Sequence, residues 1–389
     1  MFIFYLLYVS FFMYLMFMVP HPDTPMATFN HIFPYVVGGN ILVSASIILA
    51  IIGMIYFTVR FFQRLIWNLK QFKLFKQTEA YEALKKSNGA ASLMAVPLTL
   101  AMMINVLFVL GAVFVPNLWN AIEILLPFAL LGFLAVGIYA LTLFIPMMTR
   151  FLTGGAFNHD ANNSFAQLLT VFAFTMIAVG FAAPGAMSSN ILVSSLGIFF
   201  SIVFLIASIG LIIVHFTMAI QAIFKHGINK EASPSIWMLI PILTLIGITG
   251  VRLTSGVAHN LLNTKPNPVI FFVALGALVA LQIVVGLIGY SVLKKINYFS
   301  DFIAGKQKSA GSYGLICPGV AFFVLGMFFI HWGLVQTGIV DKFSVAYFVI
   351  LIPFVLVQFK TINVLAKLNK KHFSQAKKAE QHDLQEKLA

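Results

Sequence analysis

The stretch Lys225-His226-Gly227-Ile228-Asn229-Lys230-Glu231-Ala232-Ser233-Pro234-Ser235-Ile236-Trp237, continuing through Pro241 to Arg252, decides how the whole chain reads. A cationic loop leads into a helix start. Ser233 can accept from a free first-turn N–H as an N-cap, and Pro234 suits the first helical position, where its missing donor costs nothing. From Ile236 to Val251 no residue is charged, and Pro234 to His259 is long enough to cross a bilayer. Pro241 lies inside that span. Within a helix it removes one hydrogen bond, frees the carbonyl of Trp237 and predicts a kink.

The same pattern recurs along the chain. Ser312-Tyr313-Gly314-Leu315-Ile316-Cys317-Pro318 follows Lys306 and Lys308, with its serine as far before the proline as Ser235 is before Pro241. Ala91-Ser92-Leu93-Met94-Ala95-Val96-Pro97 follows Lys85 and Lys86, and Ser164-Phe165-Ala166-Gln167-Leu168-Leu169-Thr170 follows Arg150, with threonine in the proline's place. The copies are spaced by about seventy residues, a period that marks repeated structural units. Proline-broken membrane helices in one register predict a fold of repeated helical hairpins around a central feature.

Composition bounds the class. The 389 residues are 60% hydrophobic and 9% charged, and mean hydropathy is +0.98, which excludes a soluble domain and makes this a polytopic membrane protein. A single cysteine excludes a disulfide framework and a cysteine-built metal site. The net charge of +13 lies in short loops between apolar spans, so it reads as topology and not as nucleic-acid binding.

Ten spans are expected, near residues 1–20, 35–69, 89–115, 118–151, 163–184, 190–225, 234–259, 266–302, 311–335 and 337–369. The transport domain is then 1–369, and 370–389 a polar cytoplasmic tail. The spans pair as five hairpins, a shorter odd helix followed by a longer even one, with the even helices as an outer layer. All Lys and Arg except Arg252, Lys265 and Lys342 fall on the side that follows the even helices. Both termini are therefore expected in the cytoplasm, with the chain in the inner (plasma) membrane.

The residues preceding the repeated anchors, Val96, Leu169, Ile240 and Cys317, meet at one depth if the odd helices face one axis in register. They would form an apolar constriction able to gate by dewetting. Pro97, Thr170, Pro241 and Pro318 then read as pore kinks; ordinary packing kinks are the other reading. The positive ends of the odd helices gather beside the basic loops, drawing anions there. Arg252 and Glu123 are the charges most nearly inside the membrane. They pair, or Arg252 meets an anion at a pore mouth, or it reaches the outer headgroups. His215 and His331 lie toward opposite ends of their spans, which argues against a shared metal. No nucleotide, nucleophile or HExxH motif is present, so no catalytic residue, metal or cofactor is assigned and the chain is not read as an enzyme.

These features resemble the tellurite-resistance/dicarboxylate transporter family, the group of bacterial TehA and plant slow anion channels. The resemblance spans about residues 34–370. It rests on the ten-helix pattern, Thr153-Gly154-Gly155-Ala156-Phe157, Phe224-Lys225-His226-Gly227 leading into Ser233-Pro234-Ser235-Ile236-Trp237, and Gly311 to Gly319 in the ninth span. It implies an inner ring of five odd helices lining a pore, an outer ring of even helices, a homotrimer with one pore per subunit, and passage of small anions or carboxylates. Cys317 stands where these channels carry the phenylalanine that plugs the pore, and the first span lacks the family's Gly/Pro-rich start. A proton-coupled dicarboxylate or sulfite exporter is the alternative within this class. A haem- or quinone-binding subunit of an oxidoreductase is the alternative outside it.

Overall fold

A computed structural model of the protein describes residues 2–38, 40–155 and 157–386. Ala156, in the motif after the fourth span, and residues 387–389 of the tail lie outside the described residues. Twelve α-helices account for most of the chain, with no strand among the described residues: α1 Phe2–Met18, α2 Phe29–Gly38, α3 Ile41–Phe75, α4 Glu79–Lys86, α5 Ala95–Phe114, α6 Ile122–Gly154, α7 Leu168–Met187, α8 Ile191–His226, α9 Leu239–Gly256, α10 Pro268–Lys295, α11 Ile316–Phe328 and α12 Val345–Glu386. Together with the short turns that extend them, nine are long and apolar enough to cross a membrane. The protein is an all-helical, polytopic membrane protein. α1 is apolar throughout but has 17 residues, about 26 Å of helix.

Burial divides the spans into two populations. In α3, α6, α8, α10 and α12 only 22–33% of the most apolar stretch is buried, whereas the spans built on α5, α7, α9 and α11 are 44–94% buried, α7 most of all. The first set presents Leu, Ile, Val and Phe outward, as a hydrocarbon solvent requires. The second set forms the core. α1 touches α5, α5 packs on α7, α7 on α9, α9 on α11, and α11 on α1. Gln358 of α12 fixes α1 from behind: its amide donates to Ser10 Oγ at 2.9 Å and accepts from the Tyr14 hydroxyl at 2.6 Å.

Three of the inner helices share one construction. A 3-10 segment, Asn88–Met94, Ser233–Trp237 or Ala310–Leu315, precedes α5, α9 and α11, and the repeated proline is the third α-helical residue each time. Thr170 is likewise third in α7. The expected mid-span kink is thus a change of helix type. The 3-10 turn uses i→i+3 bonds, so the missing proline N–H falls at the junction and does not interrupt an established α ladder. Ser233 also departs from its expected role, since its hydroxyl donates to the Lys230 carbonyl at 2.7 Å. The opposite ends of α9 and α11 pass into π-helical turns, Val257–Leu261 and Phe329–Val335, closed by Leu262 N–H to Val257 O and Gln336 N–H to His331 O.

Side by side, the repeats are joined across the basic-loop end. The Asn88 side-chain amide donates to Asn158 O and accepts from Asn158 N–H, Asn163 donates to Gly227 O, Phe165 N–H to Ser235 Oγ, Lys230 pairs with Asp301 at 2.6 Å, and Lys371 donates to Phe302 O. These links join residues 64–71 apart, the period visible in the sequence. Asp160 ties into Lys225 and His226 in the same belt. At the other end α7, α8 and α9 meet backbone to backbone. A Cβ on Gly256 would lie 2.5 Å from Gly185 O, and one on Gly197 would lie 2.7 Å from Gly185 N. Small residues permit that approach.

Candidate functional site: a cationic cavity

The helix ends away from the basic loops enclose a cavity of about 460 Å³. α1, α5, α6, α7, α9 and α11 all contribute to its wall, along with the π turns that extend the last two. Most of the lining is apolar, including Phe17, Phe108, Phe133 and Phe328. Its titratable members are Arg252, Lys342, His21, His259 and His331, and no lining residue is acidic.

Arg252 stands in the last turns of α9. Glu123 is not its partner: that carboxylate accepts from Ser188 Oγ and from the N–H and Oγ of Ser189 at 2.7–2.9 Å, capping the turn into α8. The described ion pairs involve Glu82, Asp160 and Asp301 only. Arg252 instead donates through one terminal nitrogen to the Val179 carbonyl of α7 at 2.8 Å. This bond turns the guanidinium inward across the bundle, so headgroup snorkelling does not describe it. Three residues on, Ser255 lines the same cavity, and its Oγ is buried with no hydrogen-bond partner. His259 follows on the π turn. Arg252, Ser255 and His259 are thus a polar stripe at i, i+3 and i+7 on one helix face.

His331 is held differently. Its Nδ1 faces the Met327 carbonyl at 2.8 Å and carries the proton, leaving Nε2 to accept from the Tyr347 hydroxyl at 3.0 Å. Phe17 stacks on the ring with centroids 4.4 Å apart. Both nitrogens are used, so His331 shapes the wall and leaves no donor for a ligand. At the rim, His21 Nδ1 donates to Val19 O at 2.8 Å. Burial pushes the His21 pKa down, against the favourable Val19 carbonyl, and the nearby His31 and Lys342 push the same way as burial. Burial lowers Lys342 as well.

The sequence-derived gate residues lie at the far end of the bundle from this cavity. Val96 and Leu169 are half-buried and Ile240 and Cys317 buried, each the second α-helical residue of its segment. Thr244 donates to the Ala321 carbonyl at 2.9 Å, which aligns α9 and α11 one turn beyond Ile240 and Cys317. The Ile240 carbonyl accepts from Gln282 of α10 at 2.8 Å. Between gate and cavity the interior is filled: Met102, Phe172, Ile242 and Phe323 are buried, and Tyr14 lies 5.4 Å from the Phe323 ring. No group of three or more His, Cys, Asp or Glu able to hold a metal occurs among the described residues. His215 is buried on α8 with neither ring nitrogen bonded, and is no part of the cavity.

Comparison with known proteins finds no matching family model, no matching curated protein and no matching solved structure.

Proposed function

We propose that this protein passes small anions or small carboxylic acids across the membrane, through a path lined by α1, α5, α7, α9 and α11. Counting α1 with the nine longer spans makes ten, arranged as an inner ring of odd spans inside an outer ring of even ones. The reading keeps the kinship to the tellurite-resistance/dicarboxylate transporters, a homotrimeric assembly, an inner-membrane location and both termini in the cytoplasm. One observation carries it: the cavity draws wall residues from every inner helix, holds two cationic side chains and contains no carboxylate. A cation placed there attracts anions with little screening, because the surroundings are apolar. The buried packing between cavity and gate fits a closed state, in which Val96, Leu169, Ile240 and Cys317 would be the apolar seal.

Flux from proteoliposomes tests the proposal. Purified protein should pass at least one of chloride, nitrate, sulfite, malate or benzoate above the rate of empty liposomes, and Arg252→Gln should slow it in protein that still assembles. Flux of none of these anions would overturn the transport reading. A Soret band in the purified protein would favour the haem-binding alternative instead.

A further inference from the structure

Resting on the transport reading, which makes the cavity the outer half of the path, we propose that the cavity is a binding site for organic monocarboxylates with an apolar body. Arg252 and Ser255 receive the carboxylate, and the Phe- and Met-rich wall receives the rest.

The polar pole is built for a carboxylate. A guanidinium has five N–H donors in a planar fork that matches two carboxylate oxygens, and the Val179 carbonyl occupies only one terminal nitrogen of Arg252. Ser255, one turn along the same face, adds a hydroxyl with no partner; its oxygen is turned away from the open space and meets a ligand once the side chain rotates about its χ1. Such a group is costly to bury unbonded, and a bound carboxylate oxygen would satisfy it.

Size argues against a simple inorganic anion. A cavity of about 10–15 Å³ holds one water, whereas this one is about 460 Å³ and falls in the range of small-molecule sites. Charge placement argues against a short dicarboxylate. His259 is seven residues beyond Arg252, about 10 Å farther along the helix, and Lys342 and His21 belong to loops at the rim. A four-carbon diacid is shorter than the helical rise from Arg252 to His259. His331, the remaining basic group, has both nitrogens engaged. Most of the remaining wall is apolar, including Met13, Met16, Phe108, Phe133 and Phe328. A neighbouring cavity of about 310 Å³, lined only by apolar residues, shares Ile104, Phe108 and Ala129 with it and extends the same surface between α5 and α6. Ring or chain carbons fit that wall; a second charge does not.

Equilibrium binding to the full-length protein in nanodiscs tests this, read by calorimetry and by the fluorescence of Trp332, which lines the cavity. Benzoate and hexanoate should bind at least about tenfold tighter than acetate, succinate or chloride. Arg252→Gln should weaken benzoate by about tenfold or more, and Arg252→Lys should recover only part, since an ammonium lacks the fork. Should Arg252→Gln fail to assemble, Ser255→Asp supplies an internal carboxylate beside Arg252, and it should abolish benzoate binding while the melting temperature holds or rises. Succinate or chloride binding as tightly as benzoate, or benzoate binding that survives both Arg252→Gln and Ser255→Asp, would overturn the assignment. Binding with this profile but no flux would instead count against transport alone.

Discussion

The two ends of the inner helices handle charge in opposite ways. At the basic-loop end a few cations are answered by carboxylates that link the repeats: Lys230 meets Asp301, Asp160 meets Lys225 and His226, and the 3-10 turns tie their serines into neighbouring backbone. At the cavity end Arg252 and Lys342 have no described carboxylate partner. The first end is a joint, and its charges hold repeats together. The second, on the proposed function, is a receptor, whose charges wait for an anion from outside the chain.

Placing a carboxylate in the receptor end should erase the contrast, with the largest effect. Asn105→Asp, on the cavity wall from α5, is expected to cut anion flux by about tenfold while the protein still inserts and assembles, because it supplies an internal counter-charge at low dielectric. Next come the helix-type junctions. Pro97→Ala, Pro241→Ala and Pro318→Ala each restore an N–H and extend the α ladder backward into the 3-10 turn. Each should alter flux by more than it alters the amount of folded protein, with stability changing by no more than ~1 kcal/mol. Normal flux in all three would make the prolines packing features.

Cys317 sharpens the comparison from the closed side. It is 4% exposed, so a small charged thiol reagent should label it negligibly at rest and faster during flux. Cys317→Phe should lower stability by ~1–3 kcal/mol through overpacking and depress transport in the protein that remains. Labelling at equal rates with and without flux would take Cys317 out of the path.

Acidity should act on the receptor end in a modest, signed way. Because burial lowers the His21 pKa, with His31 and Lys342 adding to it, the ring is neutral near pH 7 and charges only below the usual histidine range of about 6.5. Anion affinity should therefore rise as pH falls toward 5, by about twofold to threefold for one added rim charge, and His21→Asn should flatten the profile. The smallest effect belongs to the joint. Hydrogen bonds from Lys225 and His226 hold the Asp160 carboxyl below its ordinary range. Its contribution is present above the unfolded aspartate value and is lost as pH falls through the folded one. Asp160→Asn should leave flux unchanged and shift the melting point slightly, less so at high salt.

Much of the architecture is legible in the residues. Apolar length marks the spans, and the Ser-to-Pro spacing locates the junctions to the residue. Two things were hidden. The expected second span from Tyr35 runs across Asn40, whose side chain accepts from Leu42 N–H and starts a fresh helix at Ile41; hydrophobicity on both sides of the cap masks it. Likewise, proline announces a missing donor but not which helix type precedes it, so a kink and a 3-10 junction look alike in sequence. The site was only half visible. Arg252 stands out as an intramembrane charge, and its stripe with Ser255 and His259 could have been read from the i, i+3, i+7 spacing. Lys342 and His21 could not, because loops bring them to the rim.

The bonds from Gln358 to Ser10 and Tyr14 set a timetable for assembly. These partners are separated by 348 and 344 residues. At roughly 5–20 residues per second, α1 enters the membrane on the order of 20–70 s before α12 exists to meet it. Through that interval the first helix has neither α11 nor α12 at its side, and its serine and tyrosine hydroxyls lack the amide that later binds them. The newborn chain is an open arc until α11 packs on α1, and α12 then clasps the closure from behind. A truncation that removes α12 thus costs more than one outer helix: it leaves the arc without its clasp, a natural point for quality-control proteases to tell finished chains from unfinished ones.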